Sequence, residues 1–394
     1  MPETNAVIPL HQSTETQFEE PRRFKVFTAR QLDKIEPLKR LDDETRFAME
    51  VVANVLPFRV NEYVIDELID WDKVPNDPIY QLTFPQKGML APEHFDKVAE
   101  AMRGGDKAEI KAAIAEVRDA LNPHPAGQME HNMPEVDGEK IDGVQHKYNE
   151  TVLFFPSQGQ VCHSYCTFCF RWAQFIGDND LKIATKEAGQ LKKYIQAHPE
   201  ITDVLITGGD PLVMKTKNLR AHIEPLLELE QIRTIRIGSK ALTFWPQRVV
   251  SDDDAQDLLD LFREVQASGK HLALMAHYNH WQELETDIAR EAVRRVRATG
   301  AVIRAQGPLL AHINDNADDW ARLWQTQVEL GIIPYYMFVE RDTGARRYFE
   351  VPLAKAWQIY RDAMKQVSGI ARTARGPSMS SHPGKVEIQG VTEI

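Results

Sequence analysis

The sequence predicts an α/β fold in which six parallel strands alternate with helices and curve into a barrel or partial barrel. Three observations carry this expectation. Short apolar runs recur from residue 150 onward: TVLFFP (151–156), VLITGG (204–209), IRIGSK (235–240), HLALMAHY (271–278), AVIRAQG (301–307) and IPYYMFV (333–339). Helical stretches lie between them, among them 186–197, 253–268, 283–298, 318–330 and 353–367. Strands joined through helices, with no linker to split the series, imply parallel pairing by right-handed crossovers. The runs are also nearly unbroken, as expected for strands buried on both faces.

The first part of the 394-residue chain reads differently. Residues 1–22 form a polar arm, 31–56 and 92–121 have helical periodicity, and 122–143 is a connection rich in Pro, Gly and Asn. The chain therefore divides into a mostly helical extension (1–145), the barrel (146–370) and a C-terminal segment (371–394) that closes it. Chemistry in such folds gathers at the C-terminal ends of the strands.

Composition narrows the partners. A net charge of −11, from 58 acidic and 47 basic side chains, argues against a nucleic-acid binder, which needs a basic face. No run of apolar residues is long enough to span a membrane. The N-terminus is polar, without the apolar stretch of a secretory signal, so a cytoplasmic location is expected. Only three cysteines occur, all within eight residues. An odd, clustered set suits metal ligation in a reducing compartment better than disulfides.

Those cysteines read Cys162-His163-Ser164-Tyr165-Cys166-Thr167-Phe168-Cys169-Phe170-Arg171, directly after the first strand. Three thiolates spaced C-x₃-C-x₂-C can bind three irons of a [4Fe–4S] cubane and leave the fourth open to an exogenous amine and carboxylate. A structural zinc site is the bland alternative. It wants four tetrahedral ligands, and no second cysteine pair exists. Three inert cysteines are the remaining alternative.

With this loop the chain resembles the radical S-adenosylmethionine superfamily. The resemblance implies a (β/α)6 partial TIM barrel, a [4Fe–4S] cluster and S-adenosylmethionine. Thr207-Gly208-Gly209-Asp210-Pro211-Leu212 is similar to the glycine-rich strand end that receives the methionyl amine, although Gly-Gly-Asp-Pro is also an ordinary turn.

The resemblance narrows to the lysine 2,3-aminomutase family. It rests on GGDPL and, in order, on Asp77-Pro78-Ile79 with Gln81 and Pro85, His146-Lys147-Tyr148, Arg236-Ile237-Gly238-Ser239 with Pro246-Gln247-Arg248, His277-Tyr278-Asn279-His280, Gln306 with Asn314 and Asp315, and Pro334-Tyr335-Tyr336. These stretches span roughly residues 75–385. The family implies pyridoxal 5′-phosphate beside the radical chemistry, and an isomerase that moves an α-amino group to the β carbon. Lys385, in Pro383-Gly384-Lys385, sits where the family places its cofactor-bearing lysine. Lys147 and Gln306 are candidate cofactor contacts, as are Ser239 and His277. Arg171 falls where the family binds the substrate α-carboxylate, a task that suits a planar guanidinium. Each has a plainer reading: a surface lysine for Lys385, a surface arginine for Arg171, a polar strand end for Gln306.

The substrate pocket departs from the lysine enzymes. They hold the distal ammonium with two aspartates. Counted without a gap, the first position is Arg341 here, with Asp342 beside it, and the region of the second, Ala374–His382, contains Arg375 and no carboxylate. A free ammonium would meet like charge there. An anionic or neutral polar side chain is therefore expected in the substrate, and a one-residue shift would bring Asp342 back to the pocket.

A small amino-acid substrate, a flavodoxin- or ferredoxin-type electron donor and a homodimer or higher oligomer complete the expectations. Two rivals remain open: a radical enzyme without pyridoxal phosphate that abstracts hydrogen from another polar molecule, and a non-catalytic Fe–S redox sensor.

Overall fold

All six apolar runs fold as strands. The computed structural model describes residues 22–123, 132–136, 138–176, 184–185, 188–381 and 384–392; nearly all of the N-terminal arm (1–22) lies outside them. Strands β1 (Val144–Tyr148), β2 (Thr151–Phe154), β3 (Asp203–Ile206), β4 (Thr234–Ser239), β5 (His271–His277), β6 (Val302–Leu309), β7 (Ile333–Val339), β8 (Arg375–Ser381) and β9 (Gly384–Glu387) form one nine-stranded sheet in chain order. Strands β2 to β8 pair in parallel, and β1 and β9 add antiparallel at the two ends. Across the ends the Lys147 ammonium donates to Ser380 Oγ at 3.3 Å, so the sheet is a nearly closed barrel.

The connections carry the expected helices, including α1 (Ala188–Ala197), α2 (Ala255–Ala267), α3 (Asp287–Ala298), α4 (Ala317–Glu329) and α5 (Leu353–Gln366). Outward strand residues such as Val204, Ile206, Ile235, Ile237, Leu274 and Ile303 pack under this helical layer in one hydrophobic cluster.

Three expectations need correction. The strands are not apolar on both faces: β6 alternates, with Ile303, Ala305 and Leu309 buried outward and Arg304 and Gln306 facing the lumen. The lumen is polar and partly open, so a run can look unbroken in sequence and still present one ligand face. The stretch 31–56 is not one helix. Two 3-10 segments, Ala29–Lys34 and Glu36–Arg40, precede the helix Asp43–Val55, because Pro37 fits the first turn of a segment but not a helix interior. Likewise 92–121 splits into Pro92–Gly104 and Lys107–Leu121, broken where Gly105 takes φ +77° in a left-handed cap.

The extension has a hydrophobic cluster of its own. It takes in Trp172 and Ala173, just beyond the third cysteine, and Phe244 and Trp245, just beyond β4. The helical extension is thus the bed on which the cysteine loop rests. No helix among the described residues is long and apolar enough to cross a membrane.

Candidate active site

The cysteine loop leaves β2 through a turn and is fixed by backbone bonds to the extension. The Tyr165 N–H donates to Arg59 O (2.8 Å) and the Thr167 N–H to Leu82 O (2.9 Å). The Asn61 N–H donates to Ser164 Oγ (3.0 Å), while the Asn61 side chain donates to Phe244 O (2.7 Å). None of these bonds uses a thiol. All three thiols are free and half-buried. Burial raises them, Cys166 to about 12, so iron would have to displace their protons.

The donor set fits a cubane better than zinc. No three His, Cys, Asp or Glu side chains among the described residues gather around one ion position. In a cubane each thiolate binds a different iron, so the sulfurs need to stand apart. His163 does not serve as a fourth ligand in this arrangement. Its ring is buried edge-to-face against Phe24 at 5.6 Å, and burial together with Arg248 and Arg59 lowers it to about 3.

The glycine-rich turn after β3 interlocks with this loop. A Cβ on Gly209 would lie 2.5 Å from Val161 N and 2.7 Å from Val161 C and O, atoms of the backbone next to Cys162. The Asp210 N–H donates to Val161 O (2.9 Å) and to Gly159 O (3.0 Å). Gly209→Ala is therefore expected to push the cysteine loop off its seat, at a cost of about 1–3 kcal/mol. Reduced iron per chain after anaerobic reconstitution and a lowered melting temperature check this; full iron content would contradict it.

Asp210 is buried, and its carboxylate accepts from Leu212 N (2.9 Å), Ser239 Oγ (2.7 Å) and Lys240 N (2.8 Å). Burial raises it to about 6 against those hydrogen bonds. It buckles the end of β3 to the end of β4. Lys240 then carries the linkage onward, donating to Asn279 Oδ1 (2.9 Å), Glu283 Oε1 (2.6 Å) and His277 O (3.2 Å). Lys240 and Glu283 were missed from the sequence because each is an ordinary charged residue until the fold joins them.

Arg171 is buried without a carboxylate partner among the described residues. It donates to Gln160 Oε1 (3.2 Å) and Gln174 Oε1 (2.5 Å), and its guanidinium lies 4.6 Å from the Phe155 ring centroid. Its Nε is buried with no partner, and burial lowers its pKa to about 10. A buried, under-satisfied cation two residues past Cys169 is chemically suited to pair with an anion.

The lumen collects further cations from distant segments. Lys385 on β9 is exposed as a residue, yet its ammonium lies 3.4 Å from the Tyr336 ring centroid and 4.7 Å from that of Phe338. Burial, then Arg375, Arg236 and Lys147, lower it to about 8. His277 accepts from the Gln306 side chain (3.0 Å), and burial and Lys240 push it down to about 4, leaving it neutral.

A relative from Aquifex aeolicus, named "Putative L-lysine 2,3-aminomutase", is 34% identical over 90% of this chain and 83% of its own length. That match decides the family. The chain belongs to the lysine 2,3-aminomutase family of radical S-adenosylmethionine enzymes. L-lysine 2,3-aminomutases of Escherichia coli and Acetoanaerobium sticklandii are each 28% identical, over 63% and 64% of the chain and 69% and 58% of their own lengths. A radical SAM methyltransferase structure from Sphaerobacter thermophilus is similar over 60% of this chain and 68% of its own, at a TM-score of 0.41 and 14% identity. No family model matches the chain.

Membership in this family implies S-adenosylmethionine and a [4Fe–4S] cluster. The sequence-predicted residues fall into two groups. Cys162, Cys166, Cys169, Gly208, Gly209, Asp210, Ser239 and Arg171 gather around the cysteine loop and the adjoining strand ends. Lys147, Lys385, His277, Gln306 and Arg341 belong to the lumen and its rim. Arg341 lies over Phe170 (5.0 Å) and meets the field of Lys147 and Tyr148. Asp342 pairs with Arg346 on the turn Arg346–Phe349. Arg375 needs a correction. The stretch 374–382 has no carboxylate, but β9 brings Glu387 to Arg375 Nη2 at 3.3 Å, so that charge is balanced.

Proposed function

We propose that this family member moves the α-amino group of a free amino acid to its β carbon, using pyridoxal phosphate held through Lys385, and that the substrate's distal end is anionic. The observation that carries the reading is the position of Lys385. A C-terminal hairpin brings its amine over two aromatic rings of the barrel wall, with a pKa lowered toward neutrality by burial and neighbouring cations. An amine so placed is a nucleophile for a carbonyl cofactor.

When bound, S-adenosylmethionine on the reduced cluster supplies a hydrogen-abstracting radical, and pyridoxal phosphate supplies delocalisation of the spin. The protein's own part is to bind and orient. Arg171 receives the substrate α-carboxylate beside the cluster loop, in a site where burial strengthens the pairing. Arg341 and Lys147 set the preference for the distal group. Burial lowers both, and Arg341 lowers Lys147 further, so an anion beside them favours their charged forms.

The test of the cofactor reading is uptake of pyridoxal phosphate, followed by absorbance during titration of the reconstituted enzyme. Stoichiometric uptake supports it. No uptake would favour the radical enzyme without pyridoxal phosphate, and absence of 5′-deoxyadenosine under reducing conditions would favour the redox sensor. For the distal group, Arg341→Asp is expected to shift the ratio of kcat/KM for a basic over an acidic amino acid by about tenfold or more. An unchanged ratio would remove Arg341 from the pocket.

A further inference from the structure

The cysteine loop is covered by the glycine-rich turn after β3 and by the helical extension. Phe170, which follows Cys169, is exposed but lies under Arg341, on the side of the proposed substrate pocket. A different way to the surface starts at His163, bonded to Cys162. The His163 ring is buried, yet it meets the Phe24 ring edge-on at 5.6 Å, and Phe24 is 37% exposed. Trp245 holds Phe24 edge-on at 4.8 Å, and the Arg59 guanidinium lies 5.9 Å from its centroid. The Tyr165 N–H donates to Arg59 O (2.8 Å), which ties this patch to the loop between the first two cysteines.

One exposed aromatic ring is ordinary surface. The charge around Phe24 sets it apart. Arg22 pairs with Asp66 and Glu67, and Lys25 with Glu62 (2.7 Å). Arg23 is exposed and Arg59 half-buried, and neither has a carboxylate partner among the described residues. Arg59 Nε is buried with no hydrogen-bond partner. Two uncompensated guanidinium groups thus stand beside an exposed ring, on a chain whose net charge is −11. General repulsion with a local positive patch orients an acidic partner onto that patch.

We propose that Phe24, Arg23 and Arg59 form the docking face for an acidic, flavodoxin-type flavoprotein that reduces the cluster held by Cys162, Cys166 and Cys169. A flavin offers an apolar dimethylbenzene edge to the Phe24 ring, and an acidic protein surface around it offers carboxylates to the two arginines. The step moves one electron: the reduced flavin loses it, and the cluster passes from its 2+ to its 1+ state with no atom exchanged between the proteins. Phe24 and His163, ring against ring, lie between the donor and the backbone of Cys162. The inference rests on the cluster reading and is independent of pyridoxal phosphate and of the substrate.

The experiment mixes the reconstituted enzyme with a fully reduced bacterial flavodoxin, or with dithionite, and follows bleaching of the cluster absorbance by stopped flow. Arg23→Glu, Phe24→Ala and a control, Arg361→Glu on the helix Leu353–Gln366, are first compared with wild type in iron content and melting temperature. Arg23→Glu is expected to slow reduction by flavodoxin about tenfold at low ionic strength, with the gap closing near about 1 M salt, and to leave reduction by dithionite within about twofold. Phe24→Ala should slow flavodoxin at every salt concentration and dithionite little. Equal slowing with both reductants would make these residues supports of the loop and overturn the docking face. A wild-type rate in Arg23→Glu, an equal effect of Arg361→Glu, or a flavodoxin that fails to reduce wild type would overturn it too. A wild-type chain that assembles no cluster would sink the cluster reading itself. Missing aminomutase activity beside the expected rates would sink the proposed function and leave the docking face standing.

Discussion

Cys166→Ala is expected to eliminate the visible absorption of the reconstituted cluster and to lower 5′-deoxyadenosine formation roughly a thousandfold or more, equivalent to at least about 4 kcal/mol. The size of the effect follows from ligand count: three thiolates hold three irons, and the loop has no fourth cysteine to stand in. The fold should survive. The loop is held by the Tyr165 and Thr167 N–H groups on the extension's carbonyls, and neither bond involves a thiol. Circular dichroism and melting should therefore stay close to wild type before iron is added. A variant that keeps both cluster absorption and S-adenosylmethionine cleavage would remove Cys166 from the cluster.

Lys385→Ala is the second large effect, and it separates the two halves of the chemistry. Amino-group migration should drop below detection, with loss of retained pyridoxal phosphate, while cluster content stays near wild type. Uncoupled 5′-deoxyadenosine should still form, because Lys385 lies on β9, away from the cysteine loop. The pH dependence has a defined sign. Burial and three neighbouring cations bring the Lys385 ammonium from 10.5 down to about 8. Only the free amine attacks a carbonyl, so cofactor loading should rise about tenfold per pH unit up to roughly 8 and then level off. Loading that is flat between pH 6 and 9, or unaffected by Lys385→Ala, would contradict this.

Much of the barrel was legible because strand and helix signals are local. A run such as HLALMAHY needs no distant partner to declare itself. The seventh parallel strand was not legible: Arg375–Ser381 reads RGPSMSS, polar and broken by Gly and Pro, and becomes a strand because β7 offers it an open edge. The cysteine loop could be read because its three ligands lie together in sequence. Of the lumen cations, Lys385, Arg341 and Lys147 were named only through the family resemblance and Arg304 not at all, since separate lysines and arginines declare no common lumen until the sheet closes. The same holds for Glu387, whose pairing with Arg375 depends on a hairpin that composition does not announce. Asp342 illustrates the limit of counting along a chain, because its partner Arg346 is chosen by the turn that follows β7.

The most direct test of the account is deuterium transfer. The reconstituted enzyme, loaded with pyridoxal phosphate and reduced in the presence of S-adenosylmethionine, is given β-deuterated amino acids with acidic, neutral and basic side chains. The account predicts deuterium in 5′-deoxyadenosine and a β-amino acid product from an acidic substrate, with both signals lost in Arg171→Ala. Deuterium transfer from lysine alone would contradict the pocket assignment. Unlabelled 5′-deoxyadenosine with every amino acid would contradict the aminomutase reading itself.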